Sequence, residues 1–214
     1  MPINRTVGIA KEIKWLLLLL LLLYFTYRMA LLSWPYLAFD DRVAFLRIKQ
    51  SVVNIPWWKA AFYVHVFTSI FLLIAGFTQF STLLLKQYPG VHRGMGKLYV
   101  VVLLFLSGPA GFLLAIKANG GSWSQLAFTM LAVLWWWFTW QAWRSVRKGH
   151  YKKHQDFMWR SFALTLSAVT LRSWKWLIVL VWAPPPMDTY RLVAWLGWVP
   201  NLLLVEWWIR RQKT

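Results

Sequence analysis

The chain has 214 residues, of which 59% are hydrophobic and 14% charged, a balance that a soluble domain of this size does not sustain. Its formal charge of +18 sits mainly at the ends of apolar runs, a pattern that points to membrane topology and anionic lipid and away from nucleic acid. With no cysteine, disulfides, thiolate metal sites, iron–sulfur clusters and covalently attached haem are excluded, and six carboxylates are too few for a carboxylate-rich two-metal centre.

The first apolar run, residues 15–34, follows Arg5, Lys11 and Lys14. Its leucine core has the length of a signal-peptide core, but no small-x-small cleavage site precedes Trp34 and Pro35, so the run is expected to be an uncleaved transmembrane helix. Arg28, near its far end, is free to snorkel. Residues 36–59 form the longest polar connection, in which Leu46 and Ile48 suggest a short interfacial helix and Trp57 and Trp58 a membrane boundary. Further apolar runs cover 60–85, 98–116, 126–143, 157–182 and 192–209, each long enough to cross a hydrocarbon core of about 30 Å. The Gly108, Pro109, Gly111 cluster predicts a kink or a close approach in the third helix, and Pro200 the same in the sixth. The eighteen tryptophans exceed the needs of two interfacial belts, so most are expected to pack or to face lipid.

The expected fold is all-α, an integral membrane bundle of six transmembrane helices in a single domain over 1–214. Alternate connections differ in charge. Arg5, Lys11, Lys14, Lys86, Arg93, Lys97, Arg144, Arg147, Lys148, Lys152, Lys153, Arg210, Arg211 and Lys213 fall on one side, and Arg42, Arg47, Lys49, Lys59, Lys117 and Arg191 on the other. The positive-inside rule then makes both termini cytoplasmic.

The histidines divide into two levels on this topology. His92 and His154 lie at the inner face, before the third and fifth helices, where two imidazoles from different helices can ligate a haem iron, bind lipid phosphate or cap a helix. His150, four residues before His154, shares its face if that helix starts early. His65 lies in the outer half, as an interior histidine or as part of a quinone or second haem site, with Met130 at a similar depth. Arg160 and Arg172 lie within the fifth apolar run, where a lipid-exposed arginine costs at least about 2.5 kcal/mol. Glu206 is the expected partner of Arg160. Arg172 sits near the level of His65 with no membrane carboxylate beside it, so Asp40, Asp41, a haem propionate or a quinone carbonyl would have to serve. Gln79 and Asn201 add hydrogen-bonding capacity inside the bundle.

His65 with GFTQF at 76–80, HRGMGKLY from His92, HQDFMWRSFALTLSAVTLR from His154 and WVPNLLLVE from Trp198 together resemble the ordered motifs of a family of predicted bacterial multi-pass membrane proteins of unknown function. The resemblance covers about residues 55–209 and implies that His65, Gln79, His92, Arg93, Gly96, His154, Arg160, Arg172, Asn201 and Glu206 are family positions. Gln155 stands where that pattern usually has arginine after the histidine, which removes a charge from any phosphate or propionate contact there. The His-Arg-x-x-Gly element at His92 is also similar, more loosely, to ligand segments of transmembrane b-type cytochromes.

The expected function is membrane-embedded electron transfer with b-type haem and/or quinone, using His65, His92, His154, Arg93, Arg172 and Gln79, of which the three histidines would be the metal ligands. Arg160, Glu206 and Asn201 would be structural. The alternative is a non-catalytic accessory subunit of a larger respiratory or photosynthetic membrane complex, its polar residues knitting the bundle and binding membrane lipids. A transport path through His65 and Arg172 is disfavoured, because neither an inverted repeat nor a pair of broken helices is evident.

Overall fold

A computed structural model describes residues 5–212, except for the side chains of residues 5–12, 14 and 15. The cationic side chains of Arg5, Lys11, Lys14 and Lys213, counted above, lie outside the described residues. All regular structure among the described residues is helical. The helices are α1 (Arg5–Ser33), α2 (Pro56–Thr78), α3 (Thr82–Gln87), α4 (Pro89–Val102), α5 (Gly108–Ile116), α6 (Ser122–Arg147), α7 (Tyr151–Thr165), α8 (Ser167–Trp182), α9 (Pro186–Leu196) and α10 (Val199–Arg211).

Among the described residues, five helical segments are long and apolar enough to cross a membrane: Leu16–Ala38, Pro56–Thr78, Pro89–Ile116, Tyr151–Trp182 and Pro186–Arg211. The fourth expected span, 126–143, lies within α6 but is not among the five. Trp123, Trp135, Trp136, Trp137, Trp140 and Trp143, with Gln125, Gln141, Arg144 and Arg147, lower the hydropathy of that helix without shortening it.

Helix ends differ from the apolar runs where local chemistry overrides hydrophobicity. The 60–85 run is not one helix. It stops at Thr78, and Ser81 caps the separate α3 by accepting from the Leu84 N–H at 3.2 Å. Pro89 opens α4 nine residues before the apolar run at 98, since its fixed φ suits a first helical position that needs no N–H partner. His92, Arg93 and Lys97 therefore lie on a helix and not before it. Likewise α7 begins at Tyr151, which puts His154 in its first turn and leaves His150 as the residue preceding the helix.

The predicted kink in the third helix is one wide, π-type turn, Leu103–Ser107, between α4 and α5. The Gly108 N–H reaches back five residues to Leu103 O, so Leu104 O loses its usual donor, and Pro109 has none to offer. The Trp136 indole donates to Leu104 O at 3.0 Å instead.

Two broken helices do lie side by side, which corrects the sequence reading. The chain breaks between α7 and α8 at Leu166 and between α9 and α10 at Gly197–Trp198, next to Pro200. Asn201 joins the breaks: its Nδ2 donates to Ala163 O at 3.1 Å, Thr170 Oγ1 at 3.0 Å and Gly197 O at 3.3 Å. Thr170 Oγ1 also donates to Gly197 O. A methyl group at Gly197 would stand 2.8 Å from Leu171 Cβ, so the breaks pack only without one.

Leu72, Tyr99, Leu103, Trp135, Phe162 and Leu164 belong to the main buried cluster. In lipid no hydrophobic effect drives helices together, so close packing and hydrogen bonds must do it. Gly76 shows the packing: a methyl group there would fall 2.5 Å from the Phe162 ring and 2.9 Å from that of Tyr99. By contrast α1 lies at the edge, touching Leu73 and Val169 through Leu22 and Met29 while Leu16–Leu21 are exposed. The two ends of the bundle are tied differently. At the terminal end, Lys152 donates to Gln212 at 3.1 Å. At the loop end, Arg191 donates to Gly120 O at 3.1 Å and Lys49 to Lys117 O at 2.5 Å. The first loop is a packed unit in which Tyr36, Leu46, Val53, Trp58 and Phe62 form a buried cluster, and the short helix expected near Leu46 is the 3-10 turn Ala44–Ile48. Trp58 is only 1% exposed, so it is a core residue of that unit and not a boundary tryptophan.

Candidate functional site

At the terminal end, α4 and α7 bring His92 and His154 close enough for the charge of one ring to be felt at the other. Each ring is anchored by a main-chain carbonyl. His154 Nδ1 donates to Ala142 O on α6 at 2.9 Å, since a carbonyl can only accept, and Nε2 is left outside that bond. The His92 ring is hydrogen bonded to the Thr78 backbone at the end of α2, while its Nδ1 is buried and has no partner among the described residues. Gln79, the residue closing α2, donates from Nε2 to His92 O at 3.1 Å. Its amide oxygen lies where a methyl group on Gly96 would be, at 2.6 Å, so the glycine of the His-Arg-x-x-Gly element makes room for Gln79. Arg93 is not part of this group: its Nε donates to Pro89 O at 3.2 Å on the exposed side of α4.

One to two turns along α7, Arg160 pairs with Glu206 of α10 through two hydrogen bonds, Nε to Oε1 at 2.5 Å and Nη2 to Oε2 at 3.0 Å. Phe157 and Phe138 cover the guanidinium, whose carbon is 5.2 and 5.9 Å from their ring centres. Beyond it lies a polar network that sequence reasoning missed. The fully buried Tyr99 hydroxyl is 2.7 Å from both Ser161 Oγ and Thr165 Oγ1, Trp135 Nε1 donates to Thr165 Oγ1 at 3.0 Å, and Thr139 Oγ1 is 2.6 Å from Ser161 Oγ. These bonds join α4, α6 and α7. The small-residue spacing Ser161/Thr165 on one helix face was its only trace in the sequence, and common hydroxyl residues give no partner.

In the loop half, His65 Nδ1 lies 2.9 Å from Ser107 O at the wide turn, which again leaves Nε2 free, and Ser107 Oγ is 2.6 Å from Thr68 Oγ1. A methyl group at Gly111 would stand 3.1 Å from the imidazole, so this glycine permits the approach expected of it. Arg172 is near enough for its charge to act on His65, and its Nη1 donates to Ala168 O of its own helix at 2.6 Å. No carboxylate pairs with Arg172 among the described residues. Asp41 instead holds Lys59 at 2.6 Å, and Asp40 accepts from the Arg42 N–H at 2.8 Å. Met130, considered as a partner for His65, is 40% exposed on α6.

These features define an all-helical, multi-pass membrane protein whose polar side chains converge inside the bundle. The chain belongs to the family described as predicted membrane protein (DUF2306), whose model matches residues 62–209. No curated protein and no solved structure matches the chain.

Proposed function

We propose that the chain is an electron-transfer protein of the bacterial inner membrane that binds b-type haem and/or quinone. The observation that carries this reading is the histidine pair: His92 and His154 come from different helices, each with one ring nitrogen tied to a carbonyl, as ligating histidines require of their outer shell. The donor set fits haem, because two imidazoles suffice and no thiolate is needed. A haem so held supplies one-electron transfer. His92 Nδ1 and His154 Nε2 would be the ligating atoms, while Thr78 O and Ala142 O hold the rings in orientation. Gly96 offers no cradle for a flat cofactor, since Gln79 fills it. In the loop half, the free His65 Nε2 and the Arg172 guanidinium suit a quinone carbonyl or a propionate.

The reading includes six spans with both termini cytoplasmic. The 26 residues of α6 extend about 39 Å at 1.5 Å per residue, more than the hydrocarbon thickness, and α6 packs against helices that are themselves long and apolar enough to cross. The terminal end then carries the larger set of cations. The alternative, an accessory subunit of a larger membrane complex, draws on the exposed leucine face of α1, where Leu16, Leu17, Leu20 and Leu21 are each more than half exposed.

An absorption spectrum of the protein purified from haem-replete cells tests the reading. We expect a Soret band that shifts on dithionite reduction and is lost in His154→Ala and His92→Ala while the variants remain monodisperse. A colourless wild-type preparation that co-migrates with a larger complex would establish the alternative.

A further inference from the structure

The turn between α6 and α7 encloses an open cavity of about 260 Å³ lined by Gln141, Arg144, Ser145, Lys148, His150, Lys153 and Phe157. Its shape follows from Gly149, at φ 74°, which lets the helix close with the His150 N–H on Ser145 O at 2.9 Å and its own N–H on Val146 O at 3.1 Å. That tight reversal brings Arg144 and Lys148 from the last turn of one helix beside Lys153 from the first turn of the next.

Positive charge at this end is general, so what distinguishes these residues is their lack of partners. Around them, Lys152 pairs with Asp156 at 3.6 Å and with Gln212, Arg147 lies over Trp143 at 5.2 Å, and Arg211 over Trp207 at 4.1 Å. Arg144, Lys148 and Lys153 have neither a carboxylate nor a ring against them among the described residues, and no carboxylate lines the cavity. Three cations held together in a concave site repel one another unless an anion joins them. Ser145 and Gln141 offer uncharged hydrogen-bonding groups at its wall.

We propose that this pocket binds the phosphate headgroup of an anionic phospholipid. The shared chemistry is a phosphate anion. A lipid is the better source because the pocket lies where the Tyr151–Trp182 span begins and takes the Phe157 ring into its lining. The site is independent of how the histidine pair is used.

The test is thermal unfolding of the full chain in a neutral detergent, titrated with phosphatidylglycerol, phosphatidylcholine or inorganic phosphate. Phosphatidylglycerol is expected to raise the Tm, and the other two at equal concentration to leave it unchanged. Each cation removed should weaken the apparent affinity about fivefold, so Arg144→Gln/Lys148→Gln/Lys153→Gln should lose about a hundredfold while Lys152→Gln keeps the wild-type response. Should the triple variant fail to fold, Lys148→Gln alone, at an exposed turn, reads the single fivefold step. An equal rise with inorganic phosphate or phosphatidylcholine, or an unaltered phosphatidylglycerol response in the folded variants, would overturn the proposal.

Discussion

At the terminal end of the bundle Arg160 is gripped by both oxygens of Glu206 and roofed by two phenylalanines, whereas Arg172, 12 residues further along the chain, donates to a carbonyl of its own helix. The histidines differ in the same way. His92 and His154 come together from two helices, while His65 stands opposite the Ser107 main-chain carbonyl at a wide turn. An arginine with a carboxylate can act as a structural clamp. One without remains available to a ligand, and the loop half is where such groups gather.

The contrast breaks most directly at Glu206. Replacing it with alanine leaves the half-buried Arg160 without its anion, and unpairing a buried ion pair costs about 3–5 kcal/mol. Thermal unfolding in detergent should show a large fall in Tm for Glu206→Ala and a much smaller one for Arg172→Gln, which gives up only a bond within its own helix. Equal effects would mean that the two arginines are held alike after all.

Tyr99→Phe tests whether the centre of the bundle is as closed as its geometry implies. The substitution keeps the ring against Gly76 and removes only the hydroxyl, and Ser161 and Thr165 retain Thr139 and Trp135 as partners. The expected loss is therefore about 1 kcal/mol, the usual net worth of a hydrogen bond and near the average between membrane helices. A loss as large as that at Glu206 would reveal a role for the hydroxyl beyond packing.

This network also marks the limit of what the residues alone convey. Apolar length made the helices of the bundle legible, and the scarcity of carboxylates singled out Glu206 as the partner for Arg160, since few others could reach it. Pro200 marked the break beside Gly197, whereas the one at Leu166 was not legible. A hydrophobic run passes straight through Leu166, and what sustains that break is a side chain far away in sequence, Asn201, whose amide donates to Ala163 O. α6 was legible as an apolar run over 126–143, although its tryptophans make it less hydropathic than its packing position would suggest. Periodicity reports which face is apolar, and it is silent on which hydroxyl meets which indole.

Lys49 separates the loop end from the rest through pH. It is 3% exposed, its Nζ donates to Lys117 O, and it lies 5.6 and 5.9 Å from the ring centres of Phe45 and Trp58. Burial lowers its pKa from the ordinary 10.5 to about 8. Because the folded chain releases this proton near 8 and the unfolded chain only near 10.5, the unfolded state binds more protons between the two values. Stability must then rise with pH across that window, with a slope at the lower end of about 0.7 kcal/mol per pH unit, half the full value for one proton. Lys49→Met should flatten that rise relative to wild type, since it keeps the apolar stem and removes the titrating group. The measurement is the difference in Tm between pH 7.5 and pH 9.5 for the two proteins side by side, which cancels other groups that titrate there. If both rise equally, the ammonium is not desolvated in solution, and the first loop is looser than its packing against α5 implies.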